Sequence, residues 1–76
     1  MYKEKDIGKY TICLNGSDWT YIIIRVLFDK DMMLEITKRY STEETGLSDY
    51  NWLKTEVDVA RYLLNRPDLQ AIFKVR

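Results

Sequence analysis

Histidine is absent from this 76-residue chain, which also holds one cysteine, one proline and three glycines. Without histidine there is no Cys/His zinc site and no histidine-based catalytic triad. The single Cys13 cannot close an internal disulfide, so no disulfide framework substitutes for a core, and the usage fits a reducing compartment. Three scattered glycines make no phosphate-cradling loop. Neither charge sign dominates: twelve Lys and Arg balance twelve Asp and Glu. A non-specific DNA binder draws its affinity from neutralising phosphates and shows a basic surplus, and a polyanion mimic shows an acidic one. The longest apolar run, Tyr21 to Ile24 and then Val26 to Phe28, is interrupted by Arg25. It falls far short of the roughly 20 residues that a membrane helix needs. The charged opening Met1-Tyr2-Lys3-Glu4-Lys5-Asp6 is followed by no apolar signal segment. These absences predict no cofactor, no metal, no membrane partner and no catalytic centre, in a protein of the cytoplasm.

What is present reads as one small domain over residues 1–76, of a size that buries roughly 60% of its unfolded surface. Residues 7 to 37 alternate with the period of strands. Tyr10, Ile12 and Leu14 share one face, and Asn15-Gly16-Ser17-Asp18 is a turn signal. Tyr21 to Phe28 is rich in β-branched and aromatic residues and is the strongest strand. Asp29-Lys30-Asp31 reverses the chain into a third strand, Met32 to Thr37.

The period then changes. Ser41 to Gly46 reads as a polar crossover, and Leu47-Ser48 as a helix start with Ser48 as the cap. Leu53, Val57, Ala60 and Leu64 follow at helical spacing, widened by Trp52, Val59 and Leu63. Pro67 ends that helix and opens a second, whose face is Leu69, Ile72 and Phe73. The alternation Leu69, Ala71, Phe73, Val75 leaves a C-terminal strand as the alternative. The expected architecture is α+β: a three-stranded antiparallel β-meander followed by two helices packed on one face. In it Cys13, Ile23, Leu27 and Met33 point away from the helices, onto a face less polar than an open antiparallel face usually is. The N-terminal segment, a second copy or a partner is expected to cover it.

Several side chains invite a functional reading. Asp29 and Asp31 flank a reversal but lack the oxygen count and the glycine turn of a calcium loop. Glu43, Glu44, Asp49, Glu56 and Asp58 face only Lys54 over residues 43–58, which suggests an acidic patch; acids in a first helical turn also answer the helix dipole. Arg61, Arg66, Lys74 and Arg76 gather toward the C-terminus, where a nucleic-acid contact competes with the same dipole argument. Six tyrosines and two tryptophans are many for a chain this small. Aromatics left at the surface favour protein contacts. Trp19, in the first turn, is hardest to place in a core.

The stretch Tyr10-Thr11-Ile12-Cys13-Leu14-Asn15-Gly16-Ser17-Asp18, followed by Ile22-Ile23-Ile24-Arg25-Val26, resembles the first two strands of the small listerial anti-CRISPR family that inhibits the type II-A nuclease. Asp68-Leu69-Gln70-Ala71-Ile72 is similar to that family's last helix. The resemblance covers about half the chain. It implies a three-stranded sheet with helices after it, and a phage-encoded, non-enzymatic inhibitor whose partner is a bacterial host or defence protein such as a CRISPR nuclease, met in the host cytoplasm. In it Asp29, Asp31 and Glu35 are positional analogues of an acidic strand edge. That family is strongly acidic and occupies a DNA-binding cleft as a DNA mimic, whereas this chain is neutral. The expected contact surface is therefore Trp19, Asp29, Asp31 and Glu35 with Glu43, Glu44 and Asp49. A nucleic-acid-binding regulator and a protein that self-associates through the outer sheet face are the alternatives.

Overall fold

Alternating side chains build the sheet, and the pairing register fixes which of them face the helices. The computed structural model describes residues 1–16, 18–27, 30–65 and 70–75. Strands β1 (Tyr2–Ile7), β2 (Tyr10–Gly16), β3 (Thr20–Leu27) and β4 (Met32–Tyr40) run as an antiparallel meander. Helices α1 (Glu43–Trp52) and α2 (Glu56–Leu64) follow, and β5 (Gln70–Val75) returns antiparallel beside β4. The spatial order is β1-β2-β3-β4-β5. Ile12 pairs with Ile24 and Ile24 with Ile36, while Leu14 pairs with Ile22. These five side chains form the sheet half of the core; Tyr50, Leu53, Val59 and Tyr62 come down from the helices, and Ile7 joins from β1.

The α+β class and the antiparallel meander are as expected, but the sheet has five strands, not three. β1 escapes a periodicity search because Lys3, Glu4, Lys5 and Asp6 are consecutive charges. As an edge strand it needs ladder hydrogen bonds with β2 rather than an apolar face of its own. Residues 70–75 form a strand and not the helix favoured by Leu69, Ile72 and Phe73. The unpaired backbone of β4 offers a ladder in the register Ile36–Ala71, Leu34–Phe73 and Met32–Val75, and this outweighs a weak helical pattern. The helix start expected at Pro67 lies outside the described residues.

The helical segment is corrected as well. α1 begins at Glu43, inside the expected crossover, because Thr42 caps it: its hydroxyl accepts the Thr45 N–H at 3.2 Å. Gly46 lies against the sheet, where an added Cβ would stand 2.6 Å from the Thr20 methyl, so a glycine lets α1 approach β3. The chain then leaves helical geometry at Leu53 and restarts after Thr55. This break resets the helical phase. Val59, Tyr62 and Leu63 turn inward, whereas Val57, Ala60 and Leu64 of the expected stripe are exposed.

Polar contacts pin the helix ends to the sheet. Thr55 and Asp58 form a reciprocal capping box, in which the Thr55 hydroxyl accepts from Asp58 N and the Asp58 carboxylate accepts from Thr55 N. The same carboxylate accepts the Lys54 N–H at 3.0 Å. On the first hairpin, Gly8 has φ +56° and its open side is filled by the Glu56 side chain, which also accepts the Lys9 N–H at 3.1 Å. From β1, the Lys5 ammonium donates to the Tyr50 carbonyl and lies 4.2 Å from that ring's centroid. It supplies a cation to the last turn of α1, which has no basic residue of its own.

Two outcomes are expected. Gly8→Ala destabilises the fold by about 1–2 kcal/mol, from left-handed backbone strain and displacement of Glu56, read as a lower urea midpoint at unchanged slope. For Asp58, the two backbone N–H groups, Lys54's foremost, hold the carboxyl below its ordinary range. A depressed folded pKa gives stability that is complete at neutral pH and is lost as pH falls through ~3.9 and the lower folded value. Asp58→Ala is therefore expected to flatten the acid limb of stability against pH, and an unchanged limb in urea titrations would contradict the capping geometry.

Candidate functional site

The face of the sheet opposite the helices carries the side chains that no packing argument consumes. Register places Tyr2, Asn15, Tyr21 and Arg39 in one row across four strands of that face. Trp19 sits beside the row, in the turn before β3. Thr20 takes the helix-side position next to Gly46, so Trp19 turns outward and remains 62% exposed. The Arg39 guanidinium lies 4.7 Å from the Trp19 ring centroid. Trp19, Tyr21, Thr37 and Arg39 line an open groove of about 410 Å³. Among the described residues no carboxylate pairs with Arg39.

Two rows farther along the strands the same face is self-satisfied. Arg25 Nε donates to Glu35 at 3.0 Å, a contact that raises the guanidinium pKa further. The Thr11 hydroxyl donates to Asp6 at 3.0 Å. Cys13 is buried although it points toward this face. The Tyr2 hydroxyl lies 3.4 Å from its sulfur and Arg25 Nη1 lies 3.7 Å away. Hydrogen bonding to that sulfur is the first cause that pushes the Tyr2 hydroxyl up to about 12. The N-terminal strand thus covers part of the outer face, one of the covers the sequence suggested, while Leu27 stays 54% exposed.

A second polar cluster joins the layers. The Tyr40 hydroxyl donates to Asp49 at 2.7 Å and meets the Tyr62 hydroxyl at 2.6 Å. Burial and these two contacts hold the Tyr40 proton far above the usual tyrosine range, so this phenol cannot act as a base near neutrality. Open grooves flank the cluster, about 330 Å³ on the Ser41 side and about 410 Å³ between Trp52 and Arg61.

The expected contact residues do not form one surface. Trp19 and the exposed Glu43 and Glu44 lie at the same end of the sheet, since Thr20 pairs with Tyr40 and Glu43 Cγ approaches Gly16. The glutamates open the helix layer, however, whereas Trp19 faces the other side with a cation beside it. Asp31 is exposed at the opposite end of β4, and Asp29 lies outside the described residues. Glu35 is tied to Arg25 and Asp49 to Tyr40. Sequence reasoning singled out Trp19 but missed Tyr21, Thr37 and Arg39. Their shared parity on paired strands was the available signal, and it became readable only once the β3–β4 register was known.

No protein-family model, no curated protein and no solved structure matches this chain. No described helix is long and apolar enough to cross a membrane.

The layer clamp gives a direct expectation. Tyr40→Phe removes the hydroxyl shared by Asp49 and Tyr62 and should cost about 1.5–3 kcal/mol, the range for a hydrogen bond with a charged partner. Urea unfolding followed by tryptophan fluorescence checks it.

Proposed function

We propose that this chain is a non-enzymatic binding protein that inhibits a bacterial host or defence protein in the host cytoplasm by docking through the Trp19 end of its open sheet face. The observation that carries the reading is an exposed tryptophan held by a stacked arginine beside a half-buried tyrosine. Trp, Tyr and Arg are the residues most enriched where interfaces draw their energy, and stacking lowers the entropy lost on docking. Turns are free of core duties in so small a domain, which suits them to carry an anchor.

A CRISPR nuclease as the target rests on the resemblance of Tyr10–Asp18 and Ile22–Val26 alone. The DNA-mimic mode of that family is not part of the proposal. A mimic needs its acids together, and here Asp31 and the Glu43–Glu44 pair lie at opposite ends. Nucleic-acid binding by this face is disfavoured by Glu4, Asp6 and Glu35, which share it with Arg39.

A photo-crosslinking amino acid in place of Trp19, expressed in bacterial cells, is expected to trap one discrete protein, while the same probe at Val57 on the far side of α2 traps none. Trp19→Ala should weaken binding of the trapped partner about 30-fold, the effect of ~2 kcal/mol at a central anchor. Adducts only with nucleic acid, only with a second copy of the chain, or only from position 57 would each defeat the reading.

A further inference from the structure

We infer that the partner segment received by the Trp19–Arg39 groove is an acidic peptide, which sets a carboxylate against Arg39 and an apolar or aromatic side chain against Trp19. The inference rests on the docking surface proposed above and names the chemistry of what docks there. It reverses the polarity expected from the sequence, where Trp19 was grouped with acidic residues in one contact surface.

The lining of the groove decides the polarity. Arg39, the indole N–H of Trp19 and the hydroxyls of Tyr21 and Thr37 are all able to donate, and among the described residues no acidic side chain lines the groove. The guanidinium carbon lies 4.7 Å from the centroid of the Trp19 ring, and a guanidinium held beside an aromatic ring can still give a carboxylate a two-pronged contact. With no carboxylate on Arg39 among the described residues, a neutral or basic partner would bury an uncompensated cation, a strongly unfavourable arrangement. An acidic partner turns the same desolvation into a charge-assisted hydrogen bond. A groove of about 410 Å³ takes one or two side chains rather than a folded surface.

Single-stranded nucleic acid offers the same pairing of negative charge and stacking ring, but it fits the surroundings badly. Its phosphates recur along the strand, and among the described residues the groove has one arginine. Beyond Thr37 the same face presents Glu35, and farther across it Glu4 and Asp6. A chain with no net charge also lacks the long-range attraction on which such binding depends. A peptide carries its carboxylates singly and can place one of them.

Isotope-labelled full-length protein titrated by NMR with three probes tests this: a blocked hexapeptide of five glutamates and one phenylalanine, its five-lysine counterpart, and a six-nucleotide oligothymidylate. The glutamate peptide is expected to shift the Trp19 indole N–H and the Arg39 Nε–H saturably, at least about tenfold more tightly than the lysine peptide, with affinity falling as salt rises. Arg39→Gln should erase that preference and Arg39→Glu should reverse it, both with the remaining spectrum intact. If the lysine peptide binds these resonances as well as or better than the glutamate peptide, the acidic assignment is wrong while the docking surface stands. Tighter binding by the oligothymidylate at the same resonances overturns both. Shifts confined to other regions, or none at millimolar peptide, overturn the acidic assignment and leave the docking surface to be judged by crosslinking at position 19.

Discussion

Two helices of ten and nine residues can cover only one face of a five-stranded sheet. That constraint organises the molecule. Ile12, Leu14, Ile22, Ile24 and Ile36 are placed by the period-two alternation on the covered face, and a shift of one residue in any pairing would exchange them for Cys13, Ile23 and Arg25. The uncovered face has to satisfy itself. It does so by pairing Arg25 with Glu35 and Thr11 with Asp6, and by closing Tyr2 and Arg25 over Cys13. What remains open at its end, Trp19 and Arg39, is left over from every structural duty that can be named.

The thin core explains why so many polar contacts hold the layers. Among the described residues ten side chains form the buried cluster. The helices are then fixed at identifiable points: Lys5 on the last turn of α1, Glu56 on the first hairpin, and Tyr40 reaching both Asp49 and Tyr62. Lys5 satisfies a helix-end carbonyl, the Tyr40 cluster satisfies part-buried hydroxyls, and Glu56 accepts a hairpin N–H. Hydrophobic burial brings the helices to the sheet, while the polar contacts set where each one sits. The capping box at Thr55 and Asp58 belongs to this set. It restarts a helix at a phase that burial of Leu53, Val59 and Tyr62 requires.

Half of the fold was legible in the amino-acid sequence because half of it is coded locally. β2 and β3 announce themselves through alternation and a Gly-containing turn. β1 does not, since an edge strand of alternating lysines and acids owes its existence to its neighbour's backbone. β5 carries two competing periods, and the tie is broken by the ladder of β4, which no local window contains. The helical break at Leu53–Thr55 was written in the Thr55-x-x-Asp58 pattern, but a near-continuous apolar stripe from Leu53 to Leu64 masked it. At the candidate site Trp19 stood out by being unplaceable. Arg39, Tyr21 and Thr37 did not, because their grouping is a property of register and not of spacing along the chain.

Two surfaces expose large apolar or aromatic side chains, and their chemistry separates them. On the helix layer Trp52, Val57 and Leu64 are exposed as separate side chains, within the ordinary apolar content of a protein surface. The sheet end differs in kind. Its tryptophan has a guanidinium over the ring, Tyr21 and Thr37 line the same groove, and among the described residues its cation lacks the counter-charge that Arg25 on the same face possesses. Two arginines two rows apart on neighbouring strands of one sheet face, one paired and one without a carboxylate among the described residues, form an internal comparison. Arg25 shows how this fold treats a guanidinium that serves the structure, by burying most of a glutamate against it. Arg39 is treated otherwise, set over the Trp19 ring with no carboxylate paired to it among the described residues.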